Sequence, residues 1–141
     1  MTIDRETGNI ILPGGQIIEK EMTIEEIKDS SLLELMWPES TEDEDSDILV
    51  LEIPEAHGEK NVLLALFFLA DSISMIQINL SLEPERLSGL KEYEKAVDRC
   101  RNFLTNMTGE RIDDDFFEWG TVSVDWDIRD MHPPCITILY L

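Results

Sequence analysis

Asp43, Asp45 and Asp47 alternate along the chain at the spacing with which a calcium-binding loop begins. Such a loop also needs glycine at its sixth position and a bidentate glutamate at its twelfth. Counted from Asp43, those places hold Ile48 and Pro54, so the match fails. Asp113, Asp114 and Asp115 would hold magnesium only if their carboxylates converged, and successive side chains of an extended chain point opposite ways. The run reads instead as a solvated loop. His57 and His132 stand beside Gly58 and Pro133, which marks them as loop histidines rather than general bases or metal ligands. Cys100 and Cys135 are too few for a disulfide framework and read as reduced core residues. No Gly-x-Ser-x-Gly nucleophile turn is present, and Gly14-Gly15 suits a hairpin turn better than half of a nucleotide fingerprint. The expectation is a protein that is not an enzyme, with no catalytic residue, no metal and no cofactor.

What the acid does support is a charged recognition surface. The chain carries 31 Asp and Glu against 11 Lys and Arg, a formal charge of −20. Between Glu39 and Glu59 there are nine carboxylates and no Lys or Arg; between Glu110 and Asp130 there are eight, against Arg111 and Arg129. Two windows thus hold 17 of the 31 acids. Solubility of a small domain needs a charge of only about 2–8 in magnitude. Acid clustered in this way steers a basic partner and raises its association rate. The candidate contacts are Glu42, Asp43, Glu44, Asp45 and Asp47 in the first window, and Asp113, Asp114, Asp115 and Glu118 in the second. Aromatic residues ringed by charge are the usual anchors of tight interfaces, and Trp37 and Phe117 are placed for that role. Trp126 shares its alternation with Val122 and Val124 and is expected in the core. The same charge argues against nucleic acid and anionic membrane as partners, and favours a monomer.

The elements that must carry these residues follow from periodicity. A length of 141 residues with 43% hydrophobic content is one domain with a real core, residues 1–141. The longest apolar run, Val62 to Ala70, is nine residues, about half of the roughly 20 that span a membrane. The first residues show no basic, then apolar, export signal, so a cytoplasmic protein is expected. Ile10 to Leu12 and Gln16 to Glu19 flank Pro13-Gly14-Gly15, a hairpin pattern. Thr23 and Glu26 have capping-box spacing before a short helix from about Ile24 to Lys28, and the Ser30 to Met36 segment is a candidate to extend it. The acidic run from Glu39 to Asp47 reads as a mobile loop.

Strand character resumes at Ile48 to Ile53. Val62 to Leu69 fits a buried strand or a buried helix, and the alternation of Ile76, Ile78, Leu80 and Leu82 tips it towards a strand paired through a turn near Asp71-Ser72. Tyr93, Ala96, Val97, Cys100, Phe103, Leu104 and Met107 form one helical stripe that stops at Gly109. Val122 to Trp126 and Cys135 to Leu141 make a final hairpin. The fold expected is α+β: an antiparallel sheet built from hairpins, in the order β-β-α-β-β-β-α-β-β, with one long helix packed on one face.

Two segments of this layout, Gly8-Asn9-Ile10-Ile11-Leu12-Pro13-Gly14-Gly15 and Phe117-Glu118-Trp119-Gly120-Thr121-Val122-Ser123, resemble the immunity proteins of contact-dependent inhibition and related bacterial polymorphic toxin systems. The resemblance spans most of the chain as an order of elements. It implies a non-catalytic immunity, or antitoxin, protein that binds and neutralises a cognate basic toxin domain, a nuclease above all, through its acidic surface. An acidic adaptor or chaperone-like module for another basic protein is the alternative that charge alone leaves open.

Overall fold

The chain opens on a small antiparallel sheet of three strands, β1 (Thr2–Ile3), β2 (Ile10–Ile11) and β3 (Ile17–Ile18), in the order β1-β2-β3. The computed structural model describes residues 1–37, 48–80, 89–111, 114–126 and 133–141, without the side chains of Asp114 and Asp115. Ile3 pairs with Ile10 and Ile10 with Ile18, and all three are buried, so one face of this sheet is a row of isoleucines. The β2–β3 turn accepts Gly15 N–H at the Leu12 carbonyl, with Pro13 fixing φ at the second turn position and Gly15 taking φ +89. The strand β1 lies outside the expected order, because two residues are too few to show a period.

Helix α1 (Ile24–Lys28) is held at its start by Thr23, whose hydroxyl accepts Glu26 N–H at 3.1 Å and donates to the Glu26 carboxylate. It ends at Asp29, and Ser30 begins a separate 3-10 turn over Ser31–Leu35 by accepting Leu32 N–H. Ser30 to Met36 therefore does not extend α1: the Ser30 hydroxyl competes for the backbone and restarts the chain. This connector is tied to the main sheet at two points, with Ile73 N–H donating to Met22 O and Trp37 N–H to Val50 O.

The main sheet has six antiparallel strands: β4 (Ile48–Ala56), β5 (Glu59–Leu69), β6 (Ser72–Asn79), β7 (Asp114–Phe117), β8 (Gly120–Asp125) and β9 (Cys135–Tyr140). Their order is β4-β5-β6-β9-β8-β7, two three-stranded meanders joined by the β6–β9 pair. The first meander turns at His57-Gly58 and at Ala70-Asp71, and all four residues have positive φ. Two-residue turns of that hand match the natural twist of the flanking strands. In the second meander β7 is a correction to the expectation of a solvated loop at Asp113 to Asp115. Asp114 and Asp115 pair with Ser123 and Val122, because β8 supplies a ladder that outweighs the low strand preference of aspartate. Asp113 lies outside the described residues.

Helix α2 (Leu90–Thr108) leaves β6 behind and leads to the far edge strand β7. Its buried residues are Tyr93, Ala96, Val97, Cys100, Phe103, Leu104 and Met107, the stripe read from the sequence. Gly109 closes it at φ +80, donating its N–H to Thr105 O at 2.8 Å. The stripe packs on β8, β9 and β1. Cross-strand rows such as Leu51, Leu64, Ile78, Ile136 and Val124 supply the sheet's inner face. Ile3, Ile10, Ile18, Ile27 and Leu32 from the small sheet and connector join the same core. The architecture is thus α+β, with antiparallel sheets and one long helix on one face. No helix among the described residues is long and apolar enough to cross a membrane.

Candidate functional site

The acidic residues singled out in the first window, Glu42, Asp43, Glu44, Asp45 and Asp47, lie outside the described residues, between Trp37 and Ile48. In the second window, Asp114 and Asp115 are strand residues of β7, and Glu118 is exposed in the turn joining β7 to β8. Trp37 is 37% exposed beside β4, where it continues the contact that Met36 makes with Leu51. Phe117 is half-buried, stacked on Trp119 with ring centroids 5.0 Å apart and an interplanar angle of 8°. Its neighbour Phe116 is the exposed aromatic of this strand, at 82%. Alternation makes the two point opposite ways, and the sequence has no signal for which of a Phe-Phe pair faces outward.

Trp126 corrects a core assignment. The strand ends at Asp125, so its alternation lapses, and Trp126 is 45% exposed with its ring 6.0 Å from that of Tyr93. It forms one wall of a cleft of about 260 Å³ with Glu94, Val97, Asp98 and Arg101 of α2.

The electrostatics are those of a surface with acid to spare. Arg5 pairs with Glu110 at 2.8 Å, and that hydrogen bond holds the Glu110 carboxyl below its ordinary range. Arg99 grips Glu59 with two parallel bonds, Nε to Oε1 at 2.8 Å and Nη2 to Oε2. Lys95 sits 3.8 Å from Glu92 and Arg101 3.5 Å from Asp98, one helical turn away in each case. Four cations among the described residues are thereby engaged internally, while acids outnumber cations by 20 over the whole chain.

Neither thiol is poised for nucleophilic work. Burial pushes the Cys100 thiol up to about 12, with the neighbouring Cys135 adding to the shift, and burial also raises Cys135. Both sulfurs are therefore protonated at neutral pH, whereas the thiolate is the reactive form. His57 is exposed at the β4–β5 turn, with Nε2 hydrogen-bonded to Met1 O and its ring edge-on to Phe103 at 5.4 Å. His132 lies outside the described residues. Among the described residues no group of three His, Cys, Asp or Glu could hold a metal ion. A cleft of about 370 Å³ between the first hairpin and β4, lined by Leu12, Gln16, Leu35, Ile53 and Pro54 among others, contains one ionisable group, Glu55. Such a lining can hold an apolar side chain but offers no acid–base pair.

The two segments that carry the resemblance meet in space. Trp119 lies on the turn that ends at Gly8, donating its indole N–H to Arg5 O at 2.7 Å. Gly8 and Trp119 therefore hold the small sheet to the large one. No family model, no curated protein and no solved structure matches this chain.

Proposed function

We propose that this chain is an immunity protein that binds a basic toxin domain, of the nuclease class above all, and neutralises it in a one-to-one complex. The observation that carries the reading is the charge: −20 in 141 residues, with 17 of the 31 acids in two windows. A nuclease presents a basic surface to phosphates, and an acidic protein seated on it blocks that surface and excludes the substrate. Docking is electrostatic first, and residence is set afterwards by apolar anchors such as Trp37. Buried, protonated thiols and a hydrogen-bonded surface histidine favour binding over catalysis as the working principle. The proposed setting is the cytoplasm of the cell that the toxin would enter.

The test is a growth assay. The C-terminal domain of the large reading frame next to this gene is expressed with and without this protein. Rescue of growth together with co-purification supports the reading. Toxicity without rescue overturns it and favours the acidic adaptor for a different basic protein.

A further inference from the structure

We propose that the outer face of the six-stranded sheet is the docking surface for a basic protein, anchored on one cross-strand row that is apolar on five of its six strands. The register aligns Ile48, Phe67, Met75, Leu139, Thr121 and Phe116 as successive cross-strand neighbours, one residue from each of β4, β5, β6, β9, β8 and β7. At about 4.8 Å between strands the row is roughly 24 Å long. Ile48 is 38%, Leu139 44% and Phe116 82% exposed, while Phe67 and Met75 are half-buried. Large apolar side chains exposed singly are ordinary, but four aligned on adjacent strands, Ile48, Phe67, Met75 and Leu139, with Phe116 one strand beyond Thr121, mark an interaction surface.

The composition of the same face selects the partner. Behind the row, the outward positions hold the polar and acidic Glu52, Gln77, Asn79, Ser123 and Asp125 beside the apolar Val50, Leu63 and Ala65, and from Ile48 to Glu52 and across the ladder to Asp125 none is Lys, Arg or His. Glu52 and Asp125 are the acids there. Asp125 is fixed as an acceptor, taking hydrogen bonds from the Ser123 and Thr137 hydroxyls. The turns next to the row add Asp71 and Glu118. A second copy of the chain carries a further −20 over its whole length and is repelled. A basic protein that lays apolar side chains along the row and reaches the surrounding carboxylates with Lys or Arg meets both features. The inference rests on the reading of this chain as a binder of basic proteins, and not on the partner being a toxin.

The test uses a chemical stand-in for such a partner, an alternating Leu-Lys peptide, against a Ser-Lys peptide of equal length and charge. Binding is followed by calorimetry on the wild type, on the doubly substituted F116T/L139T chain and on I11T, which removes an exposed isoleucine from the small sheet instead. All three substitutions are at exposed positions and keep a strand-forming residue, and thermal melts check the fold. The expected result is about tenfold tighter binding of Leu-Lys than Ser-Lys by the wild type and by I11T, with the difference lost in F116T/L139T. Equal binding of the two peptides, or an unchanged difference in F116T/L139T, overturns the proposal. So does a wild-type dimer that F116T/L139T dissolves, because the face then belongs to a second copy. In the growth assay, rescue by F116T/L139T equal to wild type overturns this surface and leaves the immunity reading standing. Failure of the wild type to rescue, with the peptide result intact, removes the toxin and leaves the surface.

Discussion

Trp119 is packed so closely over Gly8 that a Cβ at that glycine would stand 2.5 Å from the indole Cδ2. Gly8 also holds φ +78, where side chains other than glycine are strained. Around this contact the Trp119 N–H donates to Arg5 O, the Tyr140 hydroxyl donates to Gly8 O at 2.8 Å, and Phe117 stacks on the indole. The close approach of the two sheets thus depends on the absence of one methyl group. Gly8→Ala is expected to cost about 2–4 kcal/mol, combining left-handed strain and overpacking. Urea denaturation measures it, and a loss near zero would show that the indole does not sit there.

Arg99 and Glu59 join α2 to β5 through a two-point ion pair. Its head groups are partly shielded, with side-chain exposures of 40% for Arg99 and 17% for Glu59. Glu59→Gln keeps the shape and removes the charge, and is expected to lower stability by about 1–2 kcal/mol. A double-mutant cycle with Arg99→Gln should show coupling of similar size. Additive single effects would mean that the pair orients the helix without stabilising it.

The buried thiols give stability a defined pH dependence. Cys100 is raised from 9.0 to about 12 by burial. The folded chain therefore keeps a proton that the unfolded chain releases above pH 9.0, and stability falls as pH rises through that window while remaining unaffected below it. The slope is at most about 1.4 kcal/mol per pH unit for one thiol. Unfolding midpoints should decline from about pH 9 to about pH 11, and Cys100→Ala should flatten the decline. An unchanged slope in that variant would assign the effect to other groups. The native thiols should also react slowly with a disulfide reagent and quickly once the chain is unfolded.

Charge reversal in the first acidic window tests electrostatic docking. Asp43→Lys with Asp45→Lys is expected to reduce the association rate with a basic partner by about tenfold at low salt, with dissociation and melting temperature little changed. Stopped-flow kinetics across a salt series measures this. A rate unaffected by both substitutions would remove that segment from the interface.

Local periodicity carried much of this fold. The spacing of Tyr93 to Met107 specified both the helix and its buried face, because a 3.6-residue repeat brings those side chains onto one side without reference to any other segment. The alternation of Ile76 and Ile78, like that of Val122 and Val124, specified inward positions for the same reason with a period of two. Thr23 and Glu26 likewise declared a helix start within four residues. Other features depended on partners far away in the chain. Asp114 and Asp115 became strand only by pairing with β8, and Ala70 accepts a positive φ because the long β5–β6 ladder closes around it. Trp126 left the core because β8 stops one residue earlier. The outer row shows this most clearly: alternation says that Phe67, Met75 and Leu139 share a parity with their own strands' exposed residues, but only the registers of five separate strand pairs bring residues 48 to 139 into a single line. Register is fixed by burial of the whole opposite face, a collective energy that no single stretch of sequence contains.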